Sequence, residues 1–144
     1  MIYYFSGTGN SLYVAEHIAE ALGEKLCPMT SPVPTDDSVI GLVFPVYAWG
    51  IPNVVERFVR KHRASCLAAG AKKGGYLYAV MTCGDDMGYA DRVLEKELGR
   101  ELDAAFSVLM PDVYICLPGF DVDSEEECRE KFTMEKKTVK DIAR

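Results

Sequence analysis

The sequence predicts a doubly wound α/β fold, in which a parallel sheet of five strands is covered by helices on both faces. Three observations carry that expectation. Short apolar runs alternate with stretches of helical spacing along the chain. The runs are almost continuously apolar rather than alternating, as strands buried on both faces must be. The chain opens with MIYYFSGTGNSLYVAEHIAEAL, a strand-like run, a glycine-broken turn and a helical pattern in immediate succession. One domain is expected over 1–144, because 144 residues can bury a single core and are too few for two ordinary ones.

Taken in order, the strands are expected at Ile2–Phe5, Lys25–Met29, Val39–Val46, Tyr76–Thr82 and Ala104–Met110, each bounded by turn residues. The first helix runs from Asn10, a good cap, to Leu22, with Leu12, Ala15, Ile18, Ala19 and Leu22 inward and Gly23 as its stop. The second runs from Pro52 in its first turn to His62, with Val55, Phe58 and Val59 inward. A third spans Gly88 to Leu98 and turns Val93, Leu94 and Leu98 inward. The last starts near Ser124, a cap with Glu127 three residues on, and places Cys128, Phe132, Val139 and Ile142 on one side. The stretch TSPVPTDDS reads as a surface loop before the third strand.

Composition narrows the function classes. The longest apolar run, VIGLVFPVYAWGIP, is too short to span a membrane, and no basic, apolar leader precedes Ile2, so no membrane insertion and a cytoplasmic location are expected. Five cysteines (Cys27, Cys66, Cys83, Cys116 and Cys128) are odd in number and never in a CxxC pair, which predicts free thiols and no metal site. A net charge of −6 disfavours nucleic acid and suits an acidic face that docks a basic protein. His17 and His62 are expected on solvated helix surfaces, away from Cys83, so no catalytic residue is assigned.

In a doubly wound sheet ligands sit beyond the carboxyl ends of the strands, and three of those ends carry unusual loops. Ser6, Gly7, Thr8, Gly9, Asn10 and Ser11 offer hydroxyls, an amide and freely turning backbone at a helix amino end, which is an anion site. With no Lys or Arg nearby it suits one monoester phosphate. It lacks the GK[ST] of a Walker loop and the third glycine of the dinucleotide fingerprint. The second loop, PVYAWGIP, sets Tyr47 and the sole tryptophan, Trp49, around Ala48 and before Gly50, where a planar ligand would explain exposed rings. The third, TCGDDMGY, lets Thr82, Cys83 and Gly84 approach a ligand edge. There Asp85 and Asp86 cap the next helix, and Met87 and Tyr89 compete to cover a second face. Together these describe a site for a flat ring carrying one phosphate, and FMN is the cofactor they suit.

On FSGTGNS, PVYAWGIP and TCGDD the chain resembles the flavodoxins over its whole length, and most of all the flavodoxin domains of bacterial flavodoxin–ferredoxin fusion proteins, with MPDVYI as a further likeness. The resemblance implies a strand order of 2-1-3-4-5. It assigns Ser6 to Ser11 to the phosphate, Ala48, Trp49 and Gly50 to the isoalloxazine, and Cys83, Gly84 and Asp85 to its pyrimidine edge. It also implies that the peptide after Trp49 turns toward flavin N5. The sequence ends at Arg144 without a C-x2-C-x2-C-x3-C-P run, which leaves open both a freestanding unit and a chain continuing into an iron–sulfur module.

The expected function is one-electron transfer between redox partners, a ferredoxin or a ferredoxin module among them. The second class is an FMN-dependent NAD(P)H or quinone oxidoreductase, which needs a substrate pocket over the flavin. The third is a binding module that has lost its cofactor, whose mark would be a broken phosphate loop.

Overall fold

The computed structural model describes residues 1–70, 72–113, 118–119 and 121–143. Its elements follow in the order β1 (Ile2–Tyr4), α1 (Asn10–Leu22), β2 (Leu26–Pro28), β3 (Val39–Pro45), α2 (Asn53–His62), β4 (Tyr76–Cys83), α3 (Ala90–Leu98), β5 (Ala104–Leu109) and α4 (Glu125–Ile142). The strands form one parallel sheet in the order β2-β1-β3-β4-β5, as expected. β2 joins β3 through the loop that TSPVPTDDS predicts, where Val33 offers its carbonyl to the Tyr3 hydroxyl at 2.6 Å. Cys116 and the Tyr114–Ile115 part of MPDVYI lie outside the described residues.

Two apolar layers hold the sheet. On one face Val55, Phe58 and Val59 of α2 and Ala90, Leu94 and Leu98 of α3 pack on Tyr3, Leu42, Phe44 and Met81. On the other, Val14, Ala15 and Ile18 of α1 and Val139 of α4 pack on Ile2, Val43, Val80 and Val108. The central strands β3 and β4 are buried from both sides, which is why their sequences alternate so little.

Several helical details differ from expectation. The buried stripe of α1 is Ser11, Val14, Ala15, Ile18 and Ala19. Leu12 is only half-buried and Leu22 is exposed, because the stripe lies one residue away from the leucines and takes a serine into the core. Asn10 does not cap α1. Gly9 stands at the N-cap with φ 105°, a conformation that costs a side-chain-bearing residue strain, and no side chain caps the helix. Pro52 precedes α2 as its N-cap, and its carbonyl accepts the Val55 and Glu56 amides. α3 starts at Ala90 because Gly88 has φ 57° and its amide is bonded to Asp86 Oδ1 at 2.9 Å. Asp86 therefore closes the turn ahead of α3 and does not cap it. Val93 is left half outside.

At α4 the Ser124–Glu127 capping box forms as the sequence predicts. The inward stripe, however, runs Cys128, Phe132, Glu135, Val139 and Ile142, so a carboxylate occupies a core position. Glu135 is 1% exposed. Its Oε1 lies 2.9 Å from His17 Nδ1 on α1, while Oε2 has no partner among the described residues. His17 is thus half-buried between Glu135 and the Tyr13 ring rather than solvated, and His62 stacks on Phe58 at 5.6 Å. A buried carboxylate losing its partner costs more than the pair contributes over an apolar replacement. His17→Ala should therefore lower stability by about 1–3 kcal/mol, whereas Glu135→Leu should be neutral or stabilising. Denaturant unfolding of both variants tests this, and an equal loss in both would contradict it.

Candidate functional site

A cavity of about 460 Å³ opens at the carboxyl ends of β1, β3, β4 and β5, within the usual range for ligand sites. Of the residues assigned from sequence, Gly7, Thr8, Asn10, Ser11, Tyr47, Ala48, Thr82, Cys83 and Gly84 line it. Ser6, Gly9, Trp49, Gly50, Asp85 and Tyr89 are not among its lining residues.

The first wall is the turn from β1 into α1. The first backbone bond of the helix runs from the Tyr13 amide to the Gly9 carbonyl at 2.9 Å. The amides of Asn10, Ser11 and Leu12 therefore have no carbonyl within the helix, and no side chain caps them or adds negative charge in the first turn. Ser6 Oγ accepts the Gly9 amide at 3.1 Å and folds the loop back on itself. Two braces then fix it to the sheet. Asn10 Nδ2 donates to the Pro111 carbonyl at 2.8 Å, and Ser11 Oγ meets Thr82 Oγ1 at 2.8 Å in the interior. The Ser11 hydroxyl is spent on this brace, while Thr8 stays exposed at the cavity.

The second wall leaves β3. Tyr47 and Gly50 exchange both backbone hydrogen bonds at 3.0 Å, and Ala48 and Trp49 between them have φ 48° and 60°, the two left-handed positions of a type I′ turn. Neither is glycine, so the turn is strained. Gly50 has no such φ, and both its backbone groups are engaged. The Tyr47 hydroxyl reaches across to Gly7, where a Cβ would stand 2.4 Å from it. Trp49 is 67% exposed and rests on Gly88 of the third loop, where a Cβ would come within 2.6 Å of the Trp49 Cβ.

The third wall is the end of β4. Cys83 is buried, and burial, ahead of the nearby Asp86 and Asp85 charges, pushes its thiol up to about 11, so it is neutral near pH 7 and unsuited to nucleophilic attack. Met87 packs against the core and Tyr89 is 70% exposed; neither is among the residues lining the cavity. A fourth wall, Met110, Pro111, Asp112 and Val113, was not anticipated. Its signal was present in the pattern, since β5 is the strand paired with β4 and its end must lie beside the third loop. No lysine or arginine is among the described residues lining the cavity, and no cluster of metal-binding side chains occurs among the described residues. Among the described residues no helix is long and apolar enough to cross a membrane.

This is the sheet order and strand-end site of the flavodoxin-like class. The family model of the flavodoxin domain matches residues 1–115, and the chain belongs to that family. A sequence comparison with curated proteins gives no match. Among solved structures, a flavodoxin from the domain Archaea superposes with a TM-score of 0.61 at 11% identity, covering 99% of this chain and 97% of the other. The flavodoxin of Megasphaera elsdenii in its two-electron reduced form gives 0.55 at 21%, covering 94% and 97%. An FMN-dependent NADH-azoreductase from Bacillus anthracis, in complex with FMN, gives 0.57 at 13%, covering 99% and 98%. At these identities the likeness is one of fold.

Two substitutions separate bracing from ligand contact at the first wall. Ser11→Ala orphans Thr82 Oγ1 in the interior and should cost about 1–3 kcal/mol of stability without ligand. Thr8→Ala, at an exposed hydroxyl, should stay within about 0.5 kcal/mol of the parent. Thermal unfolding of the ligand-free variants measures both, and a large loss in Thr8→Ala would contradict the assignment.

Proposed function

We propose that this protein holds FMN in the strand-end cavity and carries single electrons between protein partners. One observation supports this reading above all. The amino end of α1 is uncapped, free of charged side chains and open to the cavity, which is an environment for one terminal phosphate. The residues fit the cofactor. The free amides at the start of α1 and the Thr8 hydroxyl hold the monoester, and Tyr47, Ala48, Thr82, Cys83 and Gly84 border the ring. Trp49 follows the lining residue Ala48 and, though it rests on Gly88, leaves most of its indole open to an exposed ring face. A second nucleotide has no comparable cradle among the described residues, which favours FMN over FAD.

When bound, the flavin supplies the redox chemistry. The chain's own residues bind it, orient it and shield part of it from water. Among the described lining residues the Cys83 thiol is neutral and buried and Asp112 is the sole carboxylate, which supports a carrier over a proton-transferring enzyme. The peptide that can reorient toward the ring is Ala48–Trp49. It joins the two strained residues, whereas the Trp49–Gly50 peptide is held by Tyr47. Short connections at both flavin loops favour the carrier over a reductase with a built substrate pocket. The partner is a redox protein, such as a ferredoxin or a ferredoxin module continuous with this chain, and the acidic balance suits a basic docking surface.

Purified protein should yield FMN on heat release, identified by chromatography. Recovery of FAD, or no flavin uptake by refolded apoprotein at micromolar concentration, would sink the cofactor reading. Trp49 is the only tryptophan, so its fluorescence should fall strongly on FMN addition; unchanged emission would remove Trp49 from the ring's surroundings. Reduction by NADH or NADPH alone should be slow, and rapid turnover of either with a quinone would replace the carrier with the oxidoreductase.

A further inference from the structure

Behind the third wall lies a cation supplied by α4, a helix beyond the 1–115 matched by the family model. Lys131, in its second turn, donates Nζ to the Gly84 carbonyl at 2.7 Å and to Asp123 Oδ2 at 2.5 Å. The same Oδ2 accepts the Asp112 amide at 2.8 Å. One ammonium and one carboxylate thus tie α4 to the ends of both β4 and β5. The two side chains are only 18% and 16% exposed, so the pair is largely withdrawn from water. Burial works against the Asp123 charge. The hydrogen bonds from Lys131 and the Asp112 amide, with attraction to Lys131, outweigh it and hold that carboxyl below its usual range.

Gly84 and Asp112 both line the cavity, and the Asp112 side chain packs so closely on Gly84 that a Cβ there would stand 3.0 Å from its Oδ2. Fixing the Gly84 carbonyl on Lys131 therefore fixes the third wall against the fourth. The Gly84–Asp85 peptide is trans, so the Asp85 amide points away from Lys131. Apart from Lys131, the charged groups around this wall are acidic: Asp85, Asp86, Asp112 and Asp123, with Glu127 also near the lysine.

We propose that Lys131 is a positioning residue for the cavity: it clamps the β4–α3 loop through the Gly84 carbonyl, and its charge offsets the surrounding carboxylates so that bound FMN accepts electrons more readily. The inference rests on the FMN reading above. Its mechanical part follows from the two hydrogen bonds. Its electrical part follows from Coulomb's law at a poorly solvated wall, where an unbalanced charge acts more strongly than in water.

The test uses the full chain and its Lys131→Gln, Lys131→Met and Asp123→Asn variants, with FMN affinity from fluorescence titration and the potentials of the bound flavin from redox titration. Lys131→Met should weaken FMN binding about tenfold, the equivalent of one charge-assisted hydrogen bond. Lys131→Gln should shift the potentials to more negative values and Asp123→Asn to more positive ones. A purely structural role would not give opposite signs. If Lys131→Met does not fold, the Gln and Asn variants, which keep side-chain size and hydrogen-bonding capacity, carry the test alone. Shifts of the same sign, or none, in variants of a parent that binds FMN would overturn the proposal and leave the cofactor reading standing. A parent that binds no FMN would overturn both.

Discussion

The hydrogen bond between Ser11 and Thr82 holds the rest of the site in place. A helix amino end left without caps is ordinarily solvated, and its amides point wherever the helix happens to lie. Here the first turn of α1 is pinned to the end of β4 by Ser11 and to the segment after β5 by Asn10. The unpaired amides therefore face a cavity whose other walls are the same strand ends. Every wall is thus referred to one rigid sheet, and the loops need little structure of their own.

That construction explains what the site contains and lacks. It is made from backbone, hydroxyls, small residues and rings, with a neutral thiol in the third wall and one carboxylate, Asp112, in the fourth. Such a surface suits the flat, singly phosphorylated ring of the proposed reading. Among the described residues, left-handed backbone strain outside glycine falls on Ala48 and Trp49, between the two residues that bond each other. A turn held at its ends and strained at its centre is where a peptide can change orientation without moving the strands.

Much of this was legible in the sequence, because the elements rest on strong local signals. The bounds of α1 and the Ser124 capping box are local chemistry, and the sheet follows from the alternation of apolar runs and helices. What escaped depends on tertiary partners. Asn10 has a capping side chain, but the Pro111 carbonyl, 101 residues away, claims it. Glu135 interrupts an apolar stripe and reads as solvent-facing until His17 is placed opposite it. Trp49 carries a strong ligand signal, yet its contact with Gly88 depends on how two loops meet. The fourth wall and Lys131 leave no comparable mark: β5 runs on into MPDVYI without a glycine-rich loop, and Lys131 meets the Gly84 carbonyl only because α4 packs against the strand ends.

If the amino end of α1 holds a terminal phosphate, calorimetric titration of the apoprotein should separate FMN from riboflavin, which differ only in that phosphate. FMN should bind at least about 100-fold more tightly, since two or more charge-assisted hydrogen bonds distinguish the ligands. Equal affinity for the two would contradict it, and would mean that the cavity recognises the ring alone.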